Sequence, residues 1–326
     1  MLSVKEAAEK LRAMDRILIL THVRPDGDTV GCAAGLCAAL RQLGKTAFLL
    51  PNPELTDNTL PYFRPYEAPE DYVPDAVVSV DIASAGLFPE NARPFLSRVE
   101  LAVDHHPSFE GFGRDNLARP SAAACGEIVY DLAAALGPIT AEIALPLYVA
   151  VSTDTGCFQY ANTTPRTHQV AAALMTTGID YRAVNKTFFR TKSRKRLALE
   201  ADMLSKMEFY DRGRTVVLTV PISLMERVGA SESDAEDLSA LGAQIEGTDC
   251  AVTARELGHN VWKLSLRTGS RVNATRVCAL LGGGGHAAAA GATVEASLEE
   301  TRRRVLDAIA RVVPDFVPEP VSGTEA

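Results

Sequence analysis

The 326 residues of this chain are enough for two domains with a sizeable core. Hydrophobic residues make up 47% of it and charged residues 23%, which excludes disordered, collagen-like and membrane-embedded proteins. The net charge of −8 provides no bulk attraction for nucleic acid. Any binding of phosphate would therefore need a local basic patch or bound metal.

The six cysteines are scattered and form no CxxC pair, which is typical of reduced, buried thiols rather than of a disulfide framework or a zinc ribbon. The N-terminal segment lacks the order of a signal peptide, and no apolar stretch approaches the ~20 residues that span a bilayer. We therefore expect a soluble cytoplasmic protein that has no contact with a membrane.

The first half of the chain alternates strand and helix patterns. After an amphipathic opening helix, short apolar runs predict buried strands at residues 16–21, 46–50, 76–80 and 99–103. Helical patterns cover residues 28–43, 124–136 and 140–151, the first of them capped by Asp28 and ended by Gly44. Strands separated by helical crossovers predict an α/β domain, a mostly parallel sheet with helices on both faces.

The pattern changes near residue 186, where a helical stretch with a basic beginning follows. Beyond it, strands are expected at residues 215–220, 249–256 and 261–266, and helices at 271–281 and 297–312. We predict two domains with the active site in the cleft between them. The predicted parts are a catalytic domain at 1–186, a helical linker at 187–210, a smaller α/β domain at 211–316 and a loose tail at 317–326.

Acidic residues and histidines gather at the ends of predicted strands and helices. They occur in the segments HVRPDGD, VSVD, VDHH and STDTG, which contain His22, Asp26, Asp28, Asp81, Asp104, His105, His106 and Asp154. Ligands of an open α/β sheet bind beyond the carboxyl ends of its strands. Three of these segments are therefore expected at one edge of the sheet, and the fourth can reach it from a helix end.

Carboxylates that converge in one crevice repel each other unless cations lie between them. Carboxylate and imidazole ligands suit Mn²⁺ or Mg²⁺, and their number favours two ions that share a carboxylate. Two-metal sites activate water for phosphoryl hydrolysis. A single aspartate after a strand, such as Asp81 or Asp154, is more often a turn or capping residue. Only the ordered set of four segments favours a metal centre.

A second feature is the glycine run in LGGGGHAAAAGA, at residues 281–292. Consecutive glycines let backbone amides approach an anion or a base closely. The alanines at 287–290 fit the start of a helix, whose N-terminus would also favour phosphate. The alternative is a flexible loop before a helix. His286 after the run, and Arg267 and Arg271 before it, favour the binding of an anion.

A basic run lies in the predicted linker and consists of Arg190, Lys192, Arg194, Lys195 and Arg196. Such a run is more often a solvated helix face. The alternative is a patch that neutralises substrate phosphates. The sequence leaves both interpretations open.

The four segments resemble the motifs of the DHH phosphoesterase superfamily, named for the triplet at 104–106, and the resemblance covers residues 14–296 almost continuously. It implies two divalent cations, Mn²⁺ by expectation with Mg²⁺ as the alternative. The implied ligands of the first are His22, Asp26 and Asp81. Those of the second are Asp28, Asp81, His105 and Asp154, with Asp81 as the bridge.

The same resemblance implies catalytic roles for Asp104, His106 and Asp154. Asp104 would orient the site, and His106 would contact the phosphate or give a proton to the leaving group. The glycine run resembles the loop of the DHH-associated C-terminal domain. The implied substrate-binding residues are Arg267, Arg271, Gly283, Gly284, Gly285 and His286. Alanine at 287 and 288 departs from relatives that carry a polar residue there, which would weaken the hold on a longer strand.

Within this superfamily, the two domains favour the nanoRNase/pAp phosphatase type. Such an enzyme hydrolyses short oligoribonucleotides and 3′-phosphoadenosine 5′-phosphate (pAp) to nucleoside monophosphates with water that two cations activate. RecJ-type exonucleases carry further domains, and the membrane-bound phosphodiesterases carry transmembrane segments. The expected partner is short single-stranded RNA or a small nucleotide, not a long duplex and not a membrane. The sequence leaves open whether the chain forms a homodimer.

Two alternatives remain. One is a phosphodiesterase for cyclic or linear dinucleotides, which has the same domains. The other, from a different class, is a nucleotide-binding module without catalysis. The complete set of metal ligands argues against the second alternative, because a degenerate site would be expected to lose some of them.

Overall fold

The computed structural model describes residues 1–235 and 238–321, which divide into two compact units, Met1–Thr191 and Lys192–Ala326. The strands of the first unit are β1 (Ile17–Leu20), β2 (Ala47–Leu49), β3 (Ala76–Val80), β4 (Val99–Asp104) and β5 (Asp115–Ala118). Its helices are α1 (Val4–Ala13), α2 (Gly27–Gln42), α3 (Leu60–Phe63), α4 (Cys125–Leu136), α5 (Ala141–Asp154), α6 (Pro165–Met175) and α7 (Tyr181–Asn185). Shorter helical segments lie at Arg64–Tyr66, Ala85–Leu87, Glu90–Arg98 and Lys186–Arg190.

The five strands form one parallel sheet in the order β2-β1-β3-β4-β5. The chain runs from β1 to β2 on one side and then returns to β3 on the other, so the strand order reverses between β1 and β3. Such a reversal opens a crevice at the carboxyl ends of the two strands, where open α/β sheets bind their ligands. The predictions of an α/β fold and of a mostly parallel sheet are confirmed.

The strands of this sheet are apolar on both faces because both faces are covered. Ile17 and Ile19 lie in a large core with the buried sides of α1, α2, α4, α5 and α6. Leu18 and Leu20 point to the opposite face, into a smaller core that contains Phe88 and the 3₁₀ segment Glu90–Arg98. Alternating side chains thus serve two cores of unequal size.

Strand β5 was not predicted from the sequence. Its four residues, DNLA, include one buried apolar side chain, Leu117, whereas every residue of β1 and β3 is buried. As the last strand of the sheet, β5 pairs on one side, with β4. A short edge strand of this kind carries too weak an apolar pattern to be recognised from sequence.

Helices α2 and α5 pack closely because α2 presents glycine every fourth residue on one face, at Gly27, Gly31 and Gly35. A Cβ at Gly31 would overlap the carbonyl oxygen of Pro146 and the backbone nitrogen of Ala150 on α5. Gly27 lies against Thr153 at the other end of the same contact. The N-terminus of α2 is therefore held beside the C-terminus of α5.

The second unit contains a six-stranded mixed sheet in the order β10-β11-β9-β8-β7-β6, antiparallel except between β7 and β8. Its strands are β6 (Glu208–Tyr210), β7 (Thr215–Val220), β8 (Cys250–Gly258), β9 (Val261–Thr268), β10 (Gly284–His286) and β11 (Ala289–Glu295). Its helices are α8 (Arg194–Ser205), α9 (Ile222–Val228), α10 (Ala274–Ala279) and α11 (Leu298–Val312). Helices α8 and α9 cover one face, and α10 and α11 cover the other.

The prediction that residues 287–290 begin a helix was wrong. Strands β10 and β11 form an antiparallel hairpin there, in which His286 pairs with Ala289 and Gly284 with Gly291. In β11, the buried residues Ala290, Ala292 and Val294 alternate with more exposed ones. This period of two, continued into Thr and Val, is a strand pattern that outweighs the helix propensity of alanine.

Residues 187–210, which we interpreted as a linker, contain α8, whose Leu199 and Met203 are buried in a core with β7. The described part of the expected tail runs beside β6, where the Val321 amide donates to the Phe209 carbonyl over 2.8 Å. Residues 322–326 of that tail lie outside the described residues. Within the described ranges, every helix is too short or too polar to cross a membrane.

Candidate metal centre

The four acidic and histidine motifs lie around the crevice between β1 and β3. His22 follows β1, Asp81 follows β3, and Asp104 ends β4 immediately before His105 and His106. The start of α2 contributes Asp26 and Asp28, and the end of α5 contributes Asp154. The strand ends and the α2–α5 contact therefore bring all four motifs to one place, although they are distant in sequence.

Three groups of potential metal ligands have atoms within 4.8 Å of one another: His22–Asp26–Asp81, Asp28–His105–Asp154 and Asp81–His105–His106. Asp81 belongs to the first and the third group and contacts His105, a member of the second. Its Oδ2 lies 3.8 Å from Nε2 of His22, and its Oδ1 lies 3.6 Å from Nε2 of His105. The two oxygens of one carboxylate thus face two different groups of ligands, as a bridging carboxylate requires.

Both histidines in these groups are oriented by the backbone. His22 donates from Nδ1 to the carbonyl oxygen of Val23 over 2.7 Å, and His105 does the same to Ala122 over 3.1 Å. A carbonyl can only accept, so the Nδ1 atoms carry the protons. Nε2 of each ring therefore faces the carboxylates, the orientation that a metal-ligating histidine needs.

Asp26, rather than Asp28 as predicted, caps helix α2. Its Oδ1 accepts from the amides of Asp28 at 3.0 Å and Thr29 at 3.1 Å. The prediction was wrong because both aspartates fit the capping preference, and spacing alone cannot distinguish them. Capping leaves the second oxygen of Asp26 available to a ligand.

Asp28 instead caps the start of a different helix, α4. Its two oxygens accept from the amides of Cys125 at 2.7 Å and Gly126 at 2.9 Å, and the thiol of Cys32 donates to it over 3.2 Å. The N-cap residue of α4 is Ala124, which has no side chain that could do this. That missing cap was the signal in the sequence that a residue from elsewhere must serve this helix.

Asp81 has a backbone conformation that is rare for aspartate, with φ of +59°. A non-glycine residue in this region costs on the order of 1–3 kcal/mol, and such strain is concentrated at functional sites. The amide of Asp81 donates to the carbonyl of Val103 over 2.8 Å, which holds the strained residue against β4. The side chain is thereby turned into the crevice instead of continuing the alternation of β3.

Asp104 takes no part in the three ligand groups that the described residues form. It is fully buried, and its Oδ1 accepts from the amide of His106 at 2.6 Å and from Nδ1 of His106 at 3.0 Å. This hydrogen bond is the main reason why the pKa of His106 is raised. Nε2 of the half-exposed His106 ring is the nitrogen that remains for another partner.

Burial and mutual repulsion disfavour the charged forms of the carboxylates. Burial, then the charges of Asp154 and Asp26, raises the pKa of Asp28 well above its usual range. Burial and the charge of Asp28 do the same to the pKa of Asp81. Burial is also the main cause that raises the pKa of Asp154 to about 6. A divalent cation between these groups would favour their ionised forms.

Two carboxylate oxygens in the crevice, Oδ1 of Asp81 and Oδ2 of Asp104, are buried and accept no hydrogen bond from the described residues. An unpaired buried oxygen of this kind costs roughly 1–3 kcal/mol or more. For Asp81, which belongs to two ligand groups, a cation would supply the missing partner. The oxygen and imidazole donors therefore fit Mn²⁺ or Mg²⁺.

In the second unit, four of the residues predicted to bind substrate, Gly283, Gly284, Gly285 and His286, lie at one edge of the sheet. Arg267 is the penultimate residue of β9 and pairs with Ala289, and its Nη1 donates to the carbonyl of Leu266 over 3.1 Å. Strand β10, which carries Gly284, Gly285 and His286, is the edge strand, and its three residues are exposed. An edge strand pairs with a neighbour on one side only, which leaves backbone groups on its outer side for a ligand. In β10, the carbonyl oxygen of Gly285 already accepts from Oγ1 of Thr275 over 2.9 Å.

The glycines of this run differ in whether the structure has room for a side chain at their positions. A Cβ at Gly283 or Gly285 would overlap the backbone of β11, and Gly285 also has a φ of +141°. A Cβ at Gly284 would meet no atom within 4 Å. Packing of the hairpin therefore explains why residues 283 and 285 are glycine, but it does not explain Gly284.

Arg271, also predicted to bind substrate, has both terminal nitrogens engaged. Nη1 contacts Oδ2 of Asp211 at 2.5 Å, and Nη2 contacts Oδ1 of Asp315 at 2.9 Å. The fully buried Asp211 also accepts from Arg214 at 2.9 Å and from the amide of Val317 at 3.1 Å. Arg271 thus ties the turn after β6 to the segment that follows α11.

Part of the basic run is neutralised within the second unit. Lys192 Nζ and Arg196 Nε contact the two oxygens of Glu200 at 2.8 and 2.7 Å. Arg196 also donates to the carbonyl oxygen of Asp234 over 3.1 Å. For Lys192 and Arg196, these contacts favour the structural interpretation over a phosphate-binding one.

The similarity to known proteins follows the two units. Residues 16–151 match the DHH family N-terminal domain, and residues 217–315 match the DHHA1 domain. The bifunctional oligoribonuclease and PAP phosphatase NrnA of Thermus thermophilus is 37% identical over 309 residues, which cover 93% of this chain and 92% of that protein. The chain belongs to the DHH family. The resemblance that the four motifs indicated is thereby confirmed.

Other relatives agree with this DHH-family assignment. NrnA of Bacillus subtilis, also a bifunctional oligoribonuclease and PAP phosphatase, is 25% identical over 93% of this chain and 96% of that protein. The structure of an exopolyphosphatase-related protein from Bacteroides fragilis has a TM-score of 0.85 at 23% identity and covers 95% of this chain and 96% of that one. RecJ of Thermus thermophilus, solved in complex with Mn²⁺, has a TM-score of 0.55 at 18% identity and covers 97% of this chain and 56% of that one. The two structures are evidence for the shared fold.

Proposed function

We propose that this DHH-family chain hydrolyses short oligoribonucleotides and pAp to nucleoside monophosphates, with two divalent cations and preferably with Mn²⁺. The observation that carries the proposal is the pair of ligand groups joined by Asp81. It lies in a chain that is 37% identical to a NrnA named for these two activities. The six unpaired cysteines, five of them buried, support the cytoplasm as its location.

The three groups and the contact between Asp81 and His105 support an assignment of the metal ligands. His22, Asp26 and Asp81 would hold one cation, and the second would be held by Asp28, Asp81, His105 and Asp154. When bound, such a pair supplies a water of lowered pKa and neutralises charge on the phosphoryl oxygens. The amides of Cys125 and Gly126 keep Asp28 in position.

His106 is the proposed contact to the reacting phosphate. Because Asp104 holds its Nδ1, Nε2 is the atom that contacts a phosphate oxygen or donates a proton to the leaving oxygen. Asp104 acts through His106 by holding the imidazole in one orientation. The leaving oxygen would thus take its proton from Nε2 of His106, whose ring Asp104 already holds in one orientation.

The substrate contacts proposed for the second unit are Arg267, His286 and the exposed backbone of Gly284 and Gly285. We leave out the amide of Gly283, which donates to the carbonyl oxygen of Cys278 over 2.8 Å. A guanidinium and exposed edge amides both donate hydrogen bonds to phosphate oxygens. They carry no donor pattern that distinguishes one base from another. We leave Arg271 out of this set because Asp211 and Asp315 engage its guanidinium.

The test is a side-by-side turnover assay with Mn²⁺ on four substrates: a diribonucleotide, a tetraribonucleotide, pAp and a cyclic dinucleotide. We expect nucleoside monophosphates from the first three, and loss of turnover when a chelator removes the metal. Turnover of the cyclic dinucleotide alone would replace the proposed function by the phosphodiesterase alternative. Binding without turnover of any substrate would indicate a nucleotide-binding module.

A further inference from the structure

The loop that follows Asp154 has a strained backbone. Three consecutive residues, Gly156, Cys157 and Phe158, have positive φ values of 55°, 55° and 68°. For the two that are not glycine, this conformation costs on the order of 1–3 kcal/mol each. The Cys157 amide donates to the carbonyl of Ser152 over 2.7 Å, so the turn is bonded to the end of α5.

This turn places the ring of Tyr160 on the backbone of Gly156. The amide of Tyr160 donates to the carbonyl of Thr155 over 3.0 Å, which folds the chain back on itself. A Cβ at Gly156 would overlap the Tyr160 ring, so the ring occupies the space that a side chain would take. Tyr160 is thereby held against Gly156, which lies two residues after the proposed metal ligand Asp154.

The rest of the loop is also tied to the metal centre. The side-chain amide of Asn162 donates to the carbonyl oxygens of Asp154 at 3.0 Å and Ala123 at 2.9 Å. Ala123 follows Ala122, whose carbonyl orients His105. The loop is thus bonded on both sides to segments that position metal-ligand candidates.

Despite these constraints, Tyr160 is 59% exposed. Among the described residues it is the one aromatic side chain in the set of large, exposed hydrophobics, and the others are methionine, leucine and valine. One side of its ring lies against Gly156, and much of the rest is open to solvent. The strained turn therefore leaves more than half of the Tyr160 side chain exposed, in the segment that directly follows Asp154.

We propose that Tyr160 is a stacking platform for a nucleobase of the substrate. The inference deepens the proposed function and rests on it. Every base has a π-face, so stacking binds all four bases without reading their hydrogen-bonding edges. An enzyme that degrades short RNA of any sequence needs this kind of contact, and a fixed ring offers it with little loss of side-chain freedom.

The test is binding of 2-aminopurine ribonucleoside 5′-monophosphate in the presence of Mn²⁺, followed by the quenching of its fluorescence on stacking. Ribose 5-phosphate, which has no base, is the competing probe. Tyr160→Ala should weaken binding of the nucleotide about 5- to 150-fold, the range for one stacked base, and should leave the affinity for ribose 5-phosphate unchanged. Tyr160→Phe keeps the ring and should bind both probes like the wild type.

A purely structural role of Tyr160 predicts a different result. If the ring only supports the loop and Asp154, Tyr160→Ala should lower the affinities for Mn²⁺ and for both probes in parallel, as titration calorimetry would show. That outcome would overturn the inference, as would unchanged nucleotide binding by Tyr160→Ala. Both probes bind without turnover, so an inactive wild-type protein would contradict the proposed function and leave the stacking test intact.

Discussion

The candidate metal centre of the first unit and the glycine hairpin of the second are both proposed to contact phosphate, but they differ in burial and in the groups that they present. In the metal centre, charged side chains are mostly buried and held by backbone groups, as Ala122 holds His105 and the start of α4 holds Asp28. In the hairpin, Gly284 and Gly285 are exposed and have no side chain. Carboxylates that lie close together repel each other, so other groups of the protein must hold them in position. Backbone amides at a sheet edge need only remain accessible to the ligand.

The largest effect is expected for Asp81→Asn, which removes charge from the residue that joins the two ligand groups. Hydrolysis of a diribonucleotide with Mn²⁺ should fall on the order of 10³-fold or more, because the developing charge on the phosphate loses its stabilisation. Unfolding by denaturant without metal should show equal or higher stability, because one of several buried, repelling carboxylates is gone.

The matched control is Asp75→Asn. Asp75 immediately precedes β3, at the opposite end of the strand from Asp81, and its side chain is 72% exposed. It should retain wild-type turnover and the wild-type affinity for Mn²⁺. Retained turnover in Asp81→Asn, or an equal loss in Asp75→Asn, would remove Asp81 from the centre.

An intermediate effect is expected in the second unit for Arg267→Ala. A charge-assisted hydrogen bond contributes roughly 1.5–3 kcal/mol, so KM for a diribonucleotide should rise about 10- to 150-fold. A generic chromogenic phosphodiester should be affected much less. Steady-state kinetics on the two substrates measures the difference, and equal effects would contradict a nucleotide-binding role.

Lys263→Ala is the control for Arg267. Lys263 lies on the same strand, four residues earlier, so the two side chains project from the same face of β9. Lys263 is exposed and carries the same charge. If its removal raises KM as much as the Arg267 substitution does, the effect is one of net charge and not of a specific contact.

The smallest effect is expected for Gly31→Ala, which changes the packing that brings α2 beside α5. The added methyl group would overlap backbone atoms of Pro146 and Ala150. The free energy of unfolding should fall by about 1–3 kcal/mol, the usual range for overpacking. Affinity for Mn²⁺ should also fall, because Asp28 and Asp154 lie on the two helices that separate.

Gly86→Ala serves as its control in the same unit. At Gly86 a Cβ would meet one atom, Oγ of Ser84, at an ordinary 3.8 Å. Denaturant unfolding and Mn²⁺ calorimetry should therefore leave this variant unchanged within about 0.5 kcal/mol. A normal Mn²⁺ affinity in Gly31→Ala would mean that the α2–α5 contact does not set the geometry of the centre.

Much of the fold could be predicted because the strands that bear ligands are continuous apolar runs. β1, β3 and β4 each end one or two residues before a metal-ligand candidate, so a single pattern indicated both the strand and the position of the side chain. Helix α11 was also predicted, at residues 297–312, and the structure shows that Ser297 caps an amphipathic run there. Strand β5 and the β10–β11 hairpin were not predicted, because their glycine, alanine and polar residues give a weak apolar pattern.

The sequence by itself determined the chemistry of this protein, since the eight acids and histidines, and the carboxyl ends at which they lie, can be read along the chain. Only the tertiary structure decided which groups hold those ligands in place. Asp28 caps a helix that begins 97 residues later in the chain. Arg271 forms an ion pair with Asp211, which lies 60 residues earlier, and a strained turn holds the Tyr160 ring against Gly156. Patterns in sequence report the type and spacing of neighbouring residues. Contacts between distant segments depend on how helices and strands pack, and that is decided when the chain folds.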